Sequence, residues 1–122
     1  MKKCLPAMLE LYEWELREIP FVSSVIGRHV YVCLARQILQ SPEPEVSGQT
    51  LKSIFSSPNF TERAIRLKVR EMEREGFLRI VSHESDRRAR KLIATERLVA
   101  MVENHAEVLE KIMTRDFFIM GK

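Results

Sequence analysis

Apolar residues recur along this chain mostly at helical spacing, interrupted by proline, glycine and serine. Residues 5–18 read as a first helix with Leu9, Tyr12 and Leu16 on one side, ended by the IPF turn at 19–21. Ser23 or Ser24 can cap a second helix to about Gln40, in which Ile26, Val30, Leu34 and Ile38 repeat at every fourth position. Gly27 inside it costs roughly 1 kcal/mol against alanine, which points to a close helix approach at that point. SPEPEVSG at 41–48 reads as a linker, because its prolines and glycine suit neither helix nor strand. A short helix at about 49–56 would bury Leu51, Ile54 and Phe55, and SSPN then turns the chain. FLRIVS at 77–82 and ARKLIA at 89–94 are rich enough in Ile, Leu and Val for two short strands, with HESDRR as the tip between them. Thr95 caps a last helix to about Phe118, with Leu98, Val102, Leu109, Ile112 and Met113 at apolar positions.

The stretch FTERAIRLKVREMEREGF, residues 60–77, carries both its start and its stop locally. Thr61 is placed as an N-cap, and Phe60 and Ile65 as a hydrophobic staple. Gly76 can take the left-handed conformation that ends a helix, with Phe77 reaching back to Met72. At about 100° per residue from Ile65, Val69 and Met72 fall within about 40°, while Arg66, Arg70, Arg63 and Arg74 fall between about 100° and 180°. Four arginines therefore share the side turned away from the core, with Leu67 among them. Glu62 can partly offset Arg66 and Glu73 can offset Arg70, yet no acid can serve the whole row.

Charge follows the same division. The chain is +3 overall, but residues 61–91 hold ten Lys and Arg against six Asp and Glu, while residues 1–50 and 92–122 are each at −1. A basic centre between mildly acidic ends suggests a surface for a polyanion. The order of a short helix, a turn, a capped helix and a hairpin makes a winged helix-turn-helix, within a mainly α chain carrying a small β-hairpin. In that arrangement the second helix presents its outer face to the major groove of duplex DNA. Arginine suits the task because its fork can bond guanine O6 and N7 or clamp a phosphate, and Leu67 can meet a thymine methyl. The plain alternative for the row is a solvated helix face, and for Leu67 packing against a neighbouring helix.

At 122 residues the chain supports a single domain, 1–122: N-terminal helices at 1–46, the winged helix-turn-helix at 47–94 and a C-terminal helix at 95–122. Cys4 and Cys33 follow no metal-ligand spacing, which fits a reducing compartment. Glu10 and Glu13 interrupt any apolar stretch behind the basic start, and no run approaches the ~18–20 apolar residues needed to span a bilayer. The expected location is cytoplasmic, without membrane association.

The pattern Thr61, Ile65, Val69, Met72, Gly76, then strand, Asp86-Arg87-Arg88 and Thr95 resembles the MarR family of bacterial transcriptional regulators, over about residues 47–97. That family shows a Leu-Glu-x-x-Gly-like helix end, an Asp-x-Arg wing and a Leu-Thr opening of the next helix, present here as MEREG, DRR and IAT. The resemblance implies a homodimer, held by paired N- and C-terminal helices, that binds double-stranded DNA. It also implies that Asp86 orients Arg88 for the minor groove, where concentrated negative potential attracts arginine. Arg87, Arg90 and Lys91 add charge beside it. Lys52, Ser56, Ser57 and Asn59 are placed to hold the DNA backbone ahead of the helix, and Glu62, Arg63, Arg66, Leu67 and Arg70 to contact bases and phosphates behind the Thr61 cap. Trp14, Tyr12 and Leu16, with Phe117 to Met120 in the tail, supply apolar surface for a dimer. Repression by blocking polymerase is the expected outcome. A small-molecule effector of unknown identity would sit between the terminal helices and the DNA-binding part. The family often carries a glycine three residues after Thr95, where this chain has Leu98.

No phosphate-cradling glycine loop, HExxH or nucleophile elbow is present, so no enzymatic activity and no cofactor is expected. His29 reads as a helix-surface residue, His83 as a wing residue near phosphate and His105 as a polar position of the last helix, too dispersed for a metal. Two other readings share the fold. One is a redox sensor, by analogy with family members that sense peroxide at an N-terminal cysteine: Lys2 and Lys3 could lower the pKa of Cys4, while the apolar neighbours of Cys33 favour an inert thiol. The other is a winged helix that binds protein rather than DNA, a type that generally loses its basic face.

Overall fold

The computed structural model describes residues 4–82 and 90–115, the side chains of Ser82 and Arg90 excepted. In chain order these form α1 (Cys4–Glu18), a 3-10 turn (Pro20–Ser23), α2 (Val25–Gln40), α3 (Gly48–Phe55), α4 (Glu62–Arg74), β1 (Leu78–Ser82), β2 (Arg90–Ala94) and α5 (Glu96–Met113). The expected order, four helices, a hairpin and a last helix, is the one observed, and the fold is mainly helical with a small antiparallel hairpin.

Helix starts follow the local caps. The hydroxyls of Ser24, Ser47, Thr61 and Thr95 each accept from a backbone amide in the first turn of the helix that follows. Leu98, where a glycine was the family expectation, is fully buried while its amide bonds the Thr95 cap, so the helix opens normally around a core residue.

The close approach expected at Gly27 exists, but another helix does not make it. A Cβ there would lie 2.1 Å from the Phe21 carbonyl oxygen, so α2 is pressed onto the 3-10 turn that precedes it. That turn contributes Phe21 and Val22 to the core, with Val30, Tyr31 and Leu34 of α2 buried beside them. Ile54, Ile65, Val69 and Met72 bring α3 and α4 onto the same core. Phe77 closes it, meeting Phe21 edge-on at a centroid distance of 4.6 Å.

In α1, Leu9, Tyr12 and Leu16 form the outward side, exposed together with Leu5 and Met8. Ala7 and Glu15 are buried, and Trp14 lies half-buried against the core rather than with Tyr12 and Leu16. The reason is a polar joint. Glu15 is only 8% exposed and accepts from Arg28 of α2 at 3.0 Å and from His105 of α5 at 2.8 Å. The other imidazole nitrogen of His105 lies 2.8 Å from the hydroxyl of buried Tyr31, and the ring stacks on Tyr31 and meets Trp14 at a tilt. His105 is thus an interior hinge of three helices and not merely a polar position on one.

The hairpin pairs Leu78 with Ala94 and Ile80 with Leu92, which turns one apolar face inward. The segment read as a linker joins it. Glu45 bridges Ile93, the Val46 amide donates to the Leu92 carbonyl at 2.8 Å, and the Ala94 amide donates to the Pro44 carbonyl at 2.8 Å. Proline lacks a donor, but here only its carbonyl is used, so Pro44 sits at a strand-like edge without loss. Lys91 reinforces the contact with an ion pair to Glu45 at 3.3 Å.

Candidate nucleic-acid interface

The turn between α3 and α4 aims α4. Ser56 closes α3 through its amide to the Lys52 carbonyl, and the Ser57 hydroxyl accepts from the Asn59 amide at 3.3 Å. Lys52, Ser56 and Asn59 are exposed on this approach, and Ser57 is half-buried. Below the turn lies a residue whose role sequence reasoning missed. His29, expected on the surface, is half-buried, with Nε2 3.0 Å from the Ile54 carbonyl and its ring 5.6 Å from Phe60. Its position three residues after Ile26 and one before Val30 was the available signal that it faces inward.

Helix α4 is amphipathic as read. Ile65, Val69 and Met72 are at most 3% exposed, while Arg63, Arg66, Arg70 and Arg74 are all exposed and Leu67 is 57% exposed. Leu67 is therefore more than half open to solvent. Glu62 pairs with Arg66 at 2.6 Å, as expected. Both partners are solvated, so the pair is worth well under about 1 kcal/mol and Arg66 can exchange it for another anion. Lys68 lies lower on the helix flank, tied to Glu71 at 2.9 Å.

Arg70 does not receive Glu73. That carboxylate instead accepts from the Ile80 amide at 3.0 Å, capping an edge donor of β1 and fixing the hairpin against α4. A buried-edge amide left unpaired would cost more than a solvated ion pair returns. Among the described residues Arg63, Arg70 and Arg74 make no ion pair, so the row is more weakly compensated than its sequence suggested.

On the wing, Asp86, Arg87, Arg88 and His83 lie outside the described residues. Arg90 opens β2 opposite Ser82, and its side chain lies outside the description as well. Lys52 at the end of α3, Ser56, Ser57, Asn59 and Thr61 in the turn, and Glu62, Arg63, Arg66, Leu67 and Arg70 on α4 thus follow one another along the helix-turn-helix.

Other chemistry is sparse. Among the described residues no group of three or more His, Cys, Asp and Glu side chains could hold a metal ion. An open groove of about 710 Å³ runs between the second half of α2, the 41–47 segment and the start of α3, lined by Cys33, Arg36, Gln37, Ser47 and Thr50 among others. Its described lining includes no residue of α1 or α5, unlike the expected effector pocket. Burial pushes the Cys33 thiol above the ordinary range, and nearby Arg36 offsets only part of that. The thiolate, the reactive form, is disfavoured there.

No family model matches the chain, and no curated protein matches it in sequence. Among solved structures it is similar to a MarR family transcriptional regulator from Streptomyces coelicolor, in complex with DNA, at a TM-score of 0.58 and 18% identity, covering 96% of this chain and 68% of that one. It is similar also to the heme sensor protein PefR from Streptococcus agalactiae, in complex with heme, at a TM-score of 0.57 and 20% identity, covering 91% of this chain and 72% of that one. At such identity the likeness establishes the fold: the chain has the winged-helix fold of MarR-type regulators.

Proposed function

We propose that this protein is a transcriptional regulator that binds double-stranded DNA by sequence, as a homodimer, with α4 in the major groove and the wing in the minor groove. The observation that carries the reading is the outer face of α4, where four exposed arginines surround an exposed leucine and three make no ion pair among the described residues. Such a face is mildly self-repelling when free and becomes favourable beside phosphates and base edges. Glu62, Arg63, Arg66, Leu67 and Arg70 contact bases and phosphates. Lys52, Ser56, Ser57, Asn59 and the Thr61 cap fix the backbone. Arg88, oriented by Asp86 and flanked by Arg87 and Arg90, enters the minor groove. The S. coelicolor neighbour of the same fold is in complex with DNA, which supports DNA as the partner.

The homodimer reading draws on α1. Exposed Leu5, Leu9, Tyr12 and Leu16 follow the alternating four-and-three spacing of a helix seam, with Met8 beside them and Leu109 exposed on α5. Two copies joined there would place two α4 helices for half-sites about one helical turn apart. Replacing Leu9 with glutamate would then yield a monomer by sedimentation. Repression, by occlusion of polymerase, is the expected consequence of binding. The heme-bound neighbour favours a small-molecule effector as its control. No helix among the described residues is long and apolar enough to cross a membrane; a cytoplasmic location follows from the DNA-binding reading.

Selection of bound sequences from a random duplex pool tests the proposal. Enrichment of a roughly palindromic site is expected, and Arg66→Ala should relax preference at one position at a cost of about 1–3 kcal/mol. A pool that never enriches would overturn it.

A further inference from the structure

The carbonyl end of α4 is collected by protein groups rather than left to water. Gly76, at φ +84°, turns the chain, its amide bonds the Glu73 carbonyl at 2.9 Å, and the Phe77 amide bonds the Met72 carbonyl at 2.9 Å. Two further carbonyls, of Glu75 and Gly76, are taken at the start of α5. Thr95 Oγ1 donates to the Gly76 carbonyl at 2.7 Å, and Arg97 Nη1 donates to the Glu75 carbonyl at 2.5 Å. The Arg97 guanidinium also lies 4.2 Å over the ring of Phe77, a fully buried residue that itself meets Phe21 edge-on. A positive charge thus sits at the negative end of the helix dipole, held by a directional bond from one side and a ring from the other.

This matters because, apart from the Glu73–Ile80 bond on its hairpin side, the remaining hold on α4 is weakly directional. Ile65, Val69 and Met72 anchor one stripe by apolar contact, which resists separation far better than it resists roll or tilt. Directional bonds at the helix end remove that freedom. Base readout depends on it, since a bidentate arginine contact tolerates little angular error, whereas phosphate contact tolerates much.

We infer that Arg97 is a positioning residue for sequence recognition: it fixes the angle of α4 from the first turn of α5, without touching DNA itself. The inference rests on the reading of α4 as the DNA-recognition helix. Its rival is simple. Arg97 is itself exposed, and an arginine near a DNA-binding helix can contact a phosphate directly.

Full-length wild type, Arg97→Ala and Arg97→Lys would be titrated with the duplex enriched from the random pool and with a scrambled duplex of equal length, over a range of salt. Circular dichroism melting would report the folded fraction. For Arg97→Ala a loss of about five- to tenfold is expected on the enriched duplex, with no change on the scrambled one and an unchanged salt slope. Arg97→Lys, which keeps a charge that can reach the same carbonyl and ring, should recover most of the loss. A salt slope shallower by about one would assign Arg97 to a phosphate and overturn the inference. Equal losses on both duplexes, or no loss on either, would also overturn it. A wild type that binds both duplexes alike fails earlier, at the DNA-recognition reading itself.

Discussion

Glu15 on α1 accepts a hydrogen bond from His105 on α5 at 2.8 Å, across 90 positions of sequence. The same carboxylate takes Arg28 of α2 at 3.0 Å, so one buried acid ties three helices. In the tautomer that gives Nε2–H to the carboxylate, Nδ1 accepts from the Tyr31 hydroxyl. Glu15→Ala strands these donors and should lower stability by about 1–3 kcal/mol in urea unfolding. Arg28→Ala should cost less than about 1 kcal/mol, because the arginine is partly solvated and water can replace it. An unchanged urea midpoint for Glu15→Ala would contradict this account of the joint.

Tyr31 supplies a pH prediction. Burial, with the Glu15 carboxylate adding to it, raises its pKa above the ordinary tyrosine value. A group held protonated by the fold contributes stability that is complete below the unfolded pKa, about 10, and lost as pH rises through the folded one. Stability should therefore fall above about pH 10, and Tyr31→Phe should flatten that fall. A Tyr31→Phe variant with the same alkaline slope would exclude Tyr31 as its source.

Two glycines separate backbone space from mere flexibility. At Gly27 a Cβ would collide with the Phe21 carbonyl at 2.1 Å, whereas at Gly48 nothing lies within 4 Å. Gly27→Ala should cost about 3 kcal/mol by overpacking, and Gly48→Ala should be neutral or stabilise by up to about 1 kcal/mol. Thermal melts of the pair decide it, and equal effects would refute the close packing of α2 on the 3-10 turn.

Cys33 should be a poor redox group. Its raised pKa keeps it a thiol at neutral pH, so the folded protein should lose this thiol to iodoacetamide at pH 7.5 many times more slowly than the urea-unfolded chain does. Peptide mapping of the alkylated protein would show this. Equal rates in the two states would restore Cys33 as a sensor candidate.

Helix α4 was legible in the sequence because its determinants are local. Thr61, Gly76 and Phe77 write its two ends, and three residues at helical spacing write its buried stripe. The corrections share a different cause, partners distant in sequence. The contacts that set the inward face of α1 come from Arg28 and His105, 13 and 90 positions away from Glu15, so no window on α1 contains them. Pro44 hid a strand-like edge because proline argues against donors, while β2 needed only its carbonyl. Glu73 looked free for Arg70 at helical spacing until the Ile80 amide, seven positions on, claimed it. His29 was misread for a like reason, since the Ile54 carbonyl that holds it is 25 positions away.

The most direct test of the central claim, that the α4 arginines are completed by DNA, is the affinity of the full-length protein for its enriched duplex as a function of salt. With at least four phosphates engaged by the dimer, log K should fall against log salt with a slope of about −3.6 or steeper, and Arg63→Ala with Arg70→Ala should make it shallower. A flat dependence, or no association at about 50 mM salt where phosphate contacts are strong, would contradict the account.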